Sequence, residues 1–115
     1  MKSNYYLNFL NVLKAVNQGT ISEELDPTSK LVLEEIALGV ANGQPLTVSD
    51  VMRLTSIASP ATLHRKLDVL LDAQLIEATF QGHNRRTKFM MLTPQGEAYF
   101  NKLSNVLASI KPALR

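Results

Sequence analysis

The sequence predicts a mainly α-helical fold with one small β-hairpin, and three observations predict it. Capping residues stand directly before apolar runs of helical spacing, at Asp26, Thr47 and Ser59. The stretch Ile76 to Thr93 alternates apolar and polar residues around a glycine turn. Apolar stripes of helical period lie at both ends of the chain.

Each element has its own signal. From about Ser3 to Asn17, Tyr6, Phe9, Leu10, Leu13 and Val16 give one apolar face, widened by Tyr5, Leu7 and Val12. A lone solvent-facing helix does not carry that much exposed apolar surface. Gly19 to Asp26 is a polar linker. Asp26 then caps, Pro27 starts and Gly43 stops a helix whose Val32, Leu33, Ile36, Ala37 and Val40 form a core face. Gly39 within it costs roughly 1 kcal/mol against alanine and marks a close helix crossing. Thr47 caps a helix over Val48 to Leu54, and Asp50 completes a capping box with its carboxylate near the positive helix end.

Thr55 to Ala58 break that pattern and Ser59-Pro60 restarts it, because serine caps free N–H groups and proline at the first helical position loses no bond. Leu63, Leu67, Leu70 and Leu71 make the buried stripe of this helix, which ends near Ala73, and Ala61, Thr62, His64, Arg65, Asp68 and Asp72 occupy its other face. In the hairpin, Ile76, Ala78 and Phe80 alternate with Glu77, Thr79 and Gln81. Gly82-His83-Asn84 turns, and Thr87 to Thr93 returns with Phe89 and Met91 on one face. Pro94 opens a last helix in which Tyr99, Leu103, Val106 and Ile110 repeat at nearly heptad spacing, with Leu107 beside them.

Two short capped helices, a basic hairpin and a closing helix, in that order from Leu46 to Phe100, describe a winged helix-turn-helix. The expected division is an N-terminal dimerisation helix and linker over 1–25, a winged helix-turn-helix domain over 26–93, and a C-terminal dimerisation helix over 94–115. Such a domain points to double-stranded DNA. Ser59, Ala61, Thr62, His64 and Arg65 are the expected groove-facing residues of the reading helix, about Ser59 to Ala73, in the major groove. Lys66 lies nearer the buried stripe, as a phosphate contact or a snorkelling side chain. Arg85, Arg86 and Lys88, in a wing over about Gln81 to Lys88, are expected on the backbone or in the minor groove. Tyr6, Phe9, Leu10, Leu13 and Val16 at one end, and Tyr99, Leu103, Val106 and Ile110 at the other, are the expected homodimer interface. A two-fold dimer matches the symmetry of DNA half-sites.

Composition narrows the function classes. A chain of 115 residues with 45% apolar content buries one modest core. Net charge is only +2, so the positive field is local: six of the ten acidic residues precede the second motif helix or stand in its first turn, whereas Arg65, Lys66, Arg85, Arg86 and Lys88 lie in the reading helix and wing. Cysteine is absent, so no disulfide framework exists. No signal-peptide pattern and no apolar run near the ~20 residues of a membrane span occur. The expectation is a cytoplasmic protein without a membrane partner.

The residues resemble the MarR family of bacterial transcriptional regulators. Leu92-Thr93-Pro94-Gln95-Gly96-Glu97-Ala98-Tyr99 resembles the family's LTxxG segment at the wing-to-helix junction, and Asn84-Arg85-Arg86-Thr87-Lys88 its D-R-R-x-K wing. Pro45 to Asp50 is similar to the entry of its second motif helix, and Leu70 to Glu77 to the end of its reading helix. The resemblance covers about Asp26 to Phe100. It implies a dimeric winged-helix regulator with a ligand pocket between the dimer helices and the DNA-binding domain. Because less helix follows the wing than in typical members, that pocket is expected to be reduced or missing, and the sequence identifies no small-molecule effector. Asn84 stands where the family has the wing aspartate, and Gln74 where it usually has a glycine. A positive φ at Gln74 would bring strain.

Other chemistries have less support. His64 and His83 lack the partnered carboxylates or local spacing of a metal or acid–base site. Ser59 precedes a proline at a helix start, where capping explains it. Met90 and Met91 fit hairpin packing, and no phosphate-binding glycine loop occurs. No cofactor, metal or enzymatic activity is expected. The alternative from another class is a winged-helix protein-interaction module whose basic patch is incidental.

Overall fold

The computed structural model describes residues 4–18 and 25–110. Its elements run α1 (Tyr5–Gln18), α2 (Pro27–Ala41), α3 (Val48–Met52), α4 (Pro60–Asp72), β1 (Ile76–Gln81), β2 (Asn84–Leu92) and α5 (Pro94–Ile110). The architecture is mainly α with a two-stranded antiparallel hairpin, as the sequence predicts. Asp26–Glu97 folds as one compact unit, and the segments on either side of it group as a second.

Within the first unit, Val32, Leu33 and Ile36 of α2, Val51 of α3 and Leu63, Leu67 and Leu70 of α4 are buried with Leu75, Ile76 and Met90. Burying each large aliphatic side chain contributes about 1.5–3 kcal/mol, so this cluster holds α4 on α2. The caps set where the helices begin. Asp26 accepts the Ser29 N–H, Ser59 accepts the Thr62 N–H, and Thr47 with Asp50 forms a complete capping box.

Helix α3 ends at Met52, short of the expected Leu54. Arg53 and Leu54 donate their N–H groups to the carbonyls three residues back, Asp50 and Val51, which tightens the last turn and stops the α pattern.

Both α2 and α4 finish in Schellman motifs. After α2, Gly43 donates to the Val40 carbonyl and Gln44 to the Gly39 carbonyl, with Gly43 at φ +73. Gly39 therefore does not mark a helix crossing: a Cβ there would lie 2.9 Å from the Gln44 carbonyl oxygen and 3.3 Å from the Leu46 side chain, so the close neighbour is the loop leaving its own helix. After α4, Gln74 donates to Leu71 and Leu75 to Leu70, and Gln74 takes φ +59 without being glycine. A left-handed residue with a Cβ is strained by about 1–2 kcal/mol. Glycine also gains freedom in the unfolded chain, worth about 0.4–1 kcal/mol. Gln74→Gly should therefore stabilise the fold by up to about 1 kcal/mol in urea denaturation. A destabilised variant would mean that the glutamine side chain offsets the backbone strain.

The hairpin register pairs Ile76 with Leu92, Ala78 with Met90 and Phe80 with Lys88. Phe89 and Met91 do share a face, but it is only half-buried; the buried member of this strand is Met90, opposite Ala78 on the core side. The turn is two residues, Gly82 and His83, with Gly82 at φ +58, and Asn84 already pairs with Gln81 rather than lying in the turn. A bridge between Thr47 and Phe89, with the Met90 N–H donating to the Leu46 carbonyl at 2.7 Å, fastens β2 to the residues just before α3.

The LTxxG segment has a mechanical explanation. The Thr93 hydroxyl donates to the Gln74 carbonyl at 2.6 Å and accepts the Gly96 N–H at 3.0 Å, while the Thr93 N–H donates to the Leu75 carbonyl at 3.1 Å. A Cβ on Gly96 would collide with the Leu75 carbonyl oxygen. The start of α5 is thus locked onto the end of α4.

In α1 and α5 the described apolar side chains, including Tyr6, Phe9, Leu10, Leu13, Tyr99, Leu103 and Val106, are half-buried or exposed and none is buried. The side chains of Val16 and Ile110, the expected helix start at Ser3 and most of the expected linker, 19–24, lie outside the described residues. No helix among the described residues is long and apolar enough to cross a membrane.

Candidate nucleic-acid interface

The reading helix presents a short ladder of polar side chains. Ser59 Oγ and Thr62 Oγ1 lie 3.1 Å apart, and Arg65 Nη2 donates to Thr62 Oγ1 at 3.1 Å. Residues three apart on a helix share a face, so the cap serine, Thr62 and the Arg65 guanidinium form one row. Ala61 and His64 are exposed beside it, with His64 Nδ1 3.6 Å from Asp68 Oδ2. Arg65 is thereby held at a hydroxyl, with donors left for a base edge.

Lys66 goes elsewhere. Its Nζ lies 3.2 Å from Asp26 Oδ2, at the N-cap of α2, so the structure separates it from the expected groove-facing row. Burial of the Asp26 carboxyl favours its protonated form, but the Ser29 N–H, the Ser29 hydroxyl and the Lys66 ammonium together outweigh that and lower it to about 2. In α3, the Thr47 N–H lowers the Asp50 carboxyl against partial burial, with the Arg53 guanidinium adding to it from 2.7 Å.

In the wing, the register shift between Phe80 and Gln81 leaves Arg85, Arg86 and Thr87 without partners across the ladder. Asn84 Oδ1 accepts the Arg86 N–H at 2.9 Å and the Thr87 N–H at 3.3 Å, which shapes this bulge. Arg85 and Lys88 fold back toward the exposed ring of Phe80, at 5.7 and 5.4 Å from its centroid. Both are within cation–π range, which limits their freedom. These cations and Thr47, Val48 and Ser49 line a groove of about 410 Å³ with no carboxylate in its wall.

Of the expected site residues, the structure brings together Ser59, Thr62 and Arg65 on α4, and Arg85, Arg86 and Lys88 in the wing. Sequence reasoning missed Thr47, Val48 and Ser49 as the groove's far wall, because a tertiary bridge places them there. It also missed Phe80 as the seat of two cations and Asn84 as the bulge's brace. An Asn two and three residues before the N–H groups it accepts is the signal that was available for Asn84. Among the described residues, no group of three or more His, Asp or Glu side chains could hold a metal ion.

The capped pair α3–α4, the bridge and the cationic hairpin define a winged helix-turn-helix domain. In fold the chain is MarR-like. No family model matches the sequence. Among curated proteins it is similar to the HTH-type transcriptional regulator TcaR of Staphylococcus aureus, at 28% identity over 108 residues, covering 91% of this chain and 68% of that protein. Among solved structures it superposes on S. aureus MepR in a DNA complex with a TM-score of 0.69 at 14% identity, covering 95% of this chain and 76% of the other. It also superposes on S. aureus MarR, solved with salicylate and kanamycin, with a TM-score of 0.60 at 20% identity, covering 95% and 67%.

Proposed function

We propose that this chain is a bacterial transcriptional regulator that binds specific sequences of double-stranded DNA as a homodimer in the cytoplasm, and is not an enzyme. The observation that carries the proposal is the pairing, on one compact unit, of a capped helix with an outward Thr62–Arg65 row and a wing with three cations, two of them held over the Phe80 ring. TcaR is named a regulator and MepR was solved on DNA, which supports the same role for this fold. In the proposed mode α4 enters the major groove, with Ser59, Ala61, Thr62, His64 and Arg65 toward the bases. Arg85, Arg86 and Lys88 meet phosphates or the minor groove. The proposed domain roles are DNA binding for 26–93 and dimerisation for the flanking helices.

Salt-titrated binding to a selected site and to random duplexes tests this. The affinity should fall steeply and linearly in log–log form with salt. Arg65→Ala should cost about 1–3 kcal/mol on the selected site and relax discrimination there. A flat salt dependence would instead favour the protein-interaction module.

The incompletely covered apolar faces of α1 and α5 support the homodimer. Sedimentation should give a dimer at micromolar concentration, and Leu13→Glu or Leu103→Glu should dissociate or unfold it by placing a carboxylate in an apolar interface. A wild-type monomer with full affinity for a single half-site would overturn the dimer.

A further inference from the structure

Arg65 and Lys66 are neighbouring cations on the reading helix, yet their partners lie in different directions. Arg65 donates to a hydroxyl of its own helix, whereas Lys66 reaches a carboxylate on α2. That carboxylate also accepts the Ser29 N–H and the Ser29 hydroxyl, each at 2.8 Å, and Ser29 is fully buried. Arg53 is likewise paired, with Asp50. Among the described residues from α3 through α4, Arg65 is therefore the one Lys or Arg without an acidic partner.

We infer that Lys66 is a positioning residue for DNA recognition: through Asp26 it fixes the rotation of α4 against α2, and it makes no phosphate contact. The inference rests on the DNA-binding role proposed above and assigns a different task to one of its expected contacts. The apolar contacts of Leu63, Leu67 and Leu70 hold α4 on the core, but apolar attraction is non-directional and tolerates small rotations. A part-buried polar cluster adds direction, because turning α4 away from this position carries the Lys66 ammonium off a carboxylate that the Ser29 N–H and hydroxyl hold in place. Lys66 lies one residue past Arg65, so a rotation about the helix axis that breaks the tie also swings the Thr62–Arg65 row. A cation already neutralised by an internal carboxylate releases no counterion when DNA binds.

The test compares Lys66→Met with Asp26→Asn, whose amide oxygen still caps α2. Each variant should weaken binding to the selected site roughly three- to tenfold, with random-duplex affinity and salt slope unchanged, and the double variant should be no weaker than either single. Asp26→Asn discriminates most sharply, since deleting an acid should strengthen DNA binding if Lys66 were a phosphate contact released by it. A slope reduced by about one in Lys66→Met, with all duplexes weakened alike, would overturn the inference. Residual dipolar couplings of the DNA-free protein give an independent readout: both variants should reorient α4 amide vectors relative to α2, and unchanged orientation would overturn it. If the wild type binds no duplex, the DNA-binding role falls, and the couplings still decide whether Asp26 positions α4 through Lys66.

Discussion

Replacing Gly96 by alanine should destabilise the protein by about 3 kcal/mol or more, or prevent folding altogether. The added Cβ would overlap the Leu75 carbonyl oxygen, and that carbonyl cannot swing away without releasing the Thr93 N–H it accepts. The neighbouring Gln74 carbonyl is fixed as well, by the Thr93 hydroxyl. No flexible side-chain end is available to yield, so relaxation must move the junction between α4 and α5 as a whole. Urea denaturation followed by circular dichroism measures the loss. A Gly96→Ala variant within about 0.5 kcal/mol of the parent, the scale of an ordinary surface change, would show that this junction is slack.

Converting Arg85 and Arg86 together to alanine should weaken binding to every duplex by roughly ten- to a hundredfold at moderate salt and lower the salt slope by about two, one per lost phosphate contact. Discrimination between sites should be largely kept, because base reading is proposed for α4. Phe80→Leu separates charge from placement: it leaves all the cations but removes the ring that Arg85 and Lys88 approach. Its affinity should fall by less, with the slope intact. If the double arginine variant keeps both affinity and slope, the wing lies outside the DNA interface.

The helix starts were legible in the sequence because capping is local: Asp26, Thr47 and Ser59 each accept the N–H three residues on, and Asp50 accepts the Thr47 N–H in return. The positive φ at Gln74 could be anticipated only through the family resemblance, which implies a glycine at that position. Part of what escaped depends on contacts between residues distant in sequence. Alternation alone could not say which hairpin face meets the core, so Met90 was not singled out over Phe89 and Met91. The wing bulge depends on a side-chain acceptor competing with the strand ladder. Lys66 sits at the edge of the buried stripe, where spacing alone cannot distinguish outward reach from a partner on another helix. Gly39 marks a close approach, but to the loop that the Schellman turn at the end of α2 folds over it and not to another helix.

Asn84 holds the wing bulge by accepting two backbone N–H groups through an uncharged amide. An aspartate could accept the same two bonds, but it would also place a negative charge beside Arg85 and Arg86. With asparagine the tip keeps its full positive potential. The two bonds that Asn84 accepts also involve no titrating group and no ion pair for salt to screen. The backbone of the bulge is therefore insulated from ionic strength while the wing's attraction for a polyanion is governed by it, so that salt can tune how strongly the wing grips without unfastening its frame.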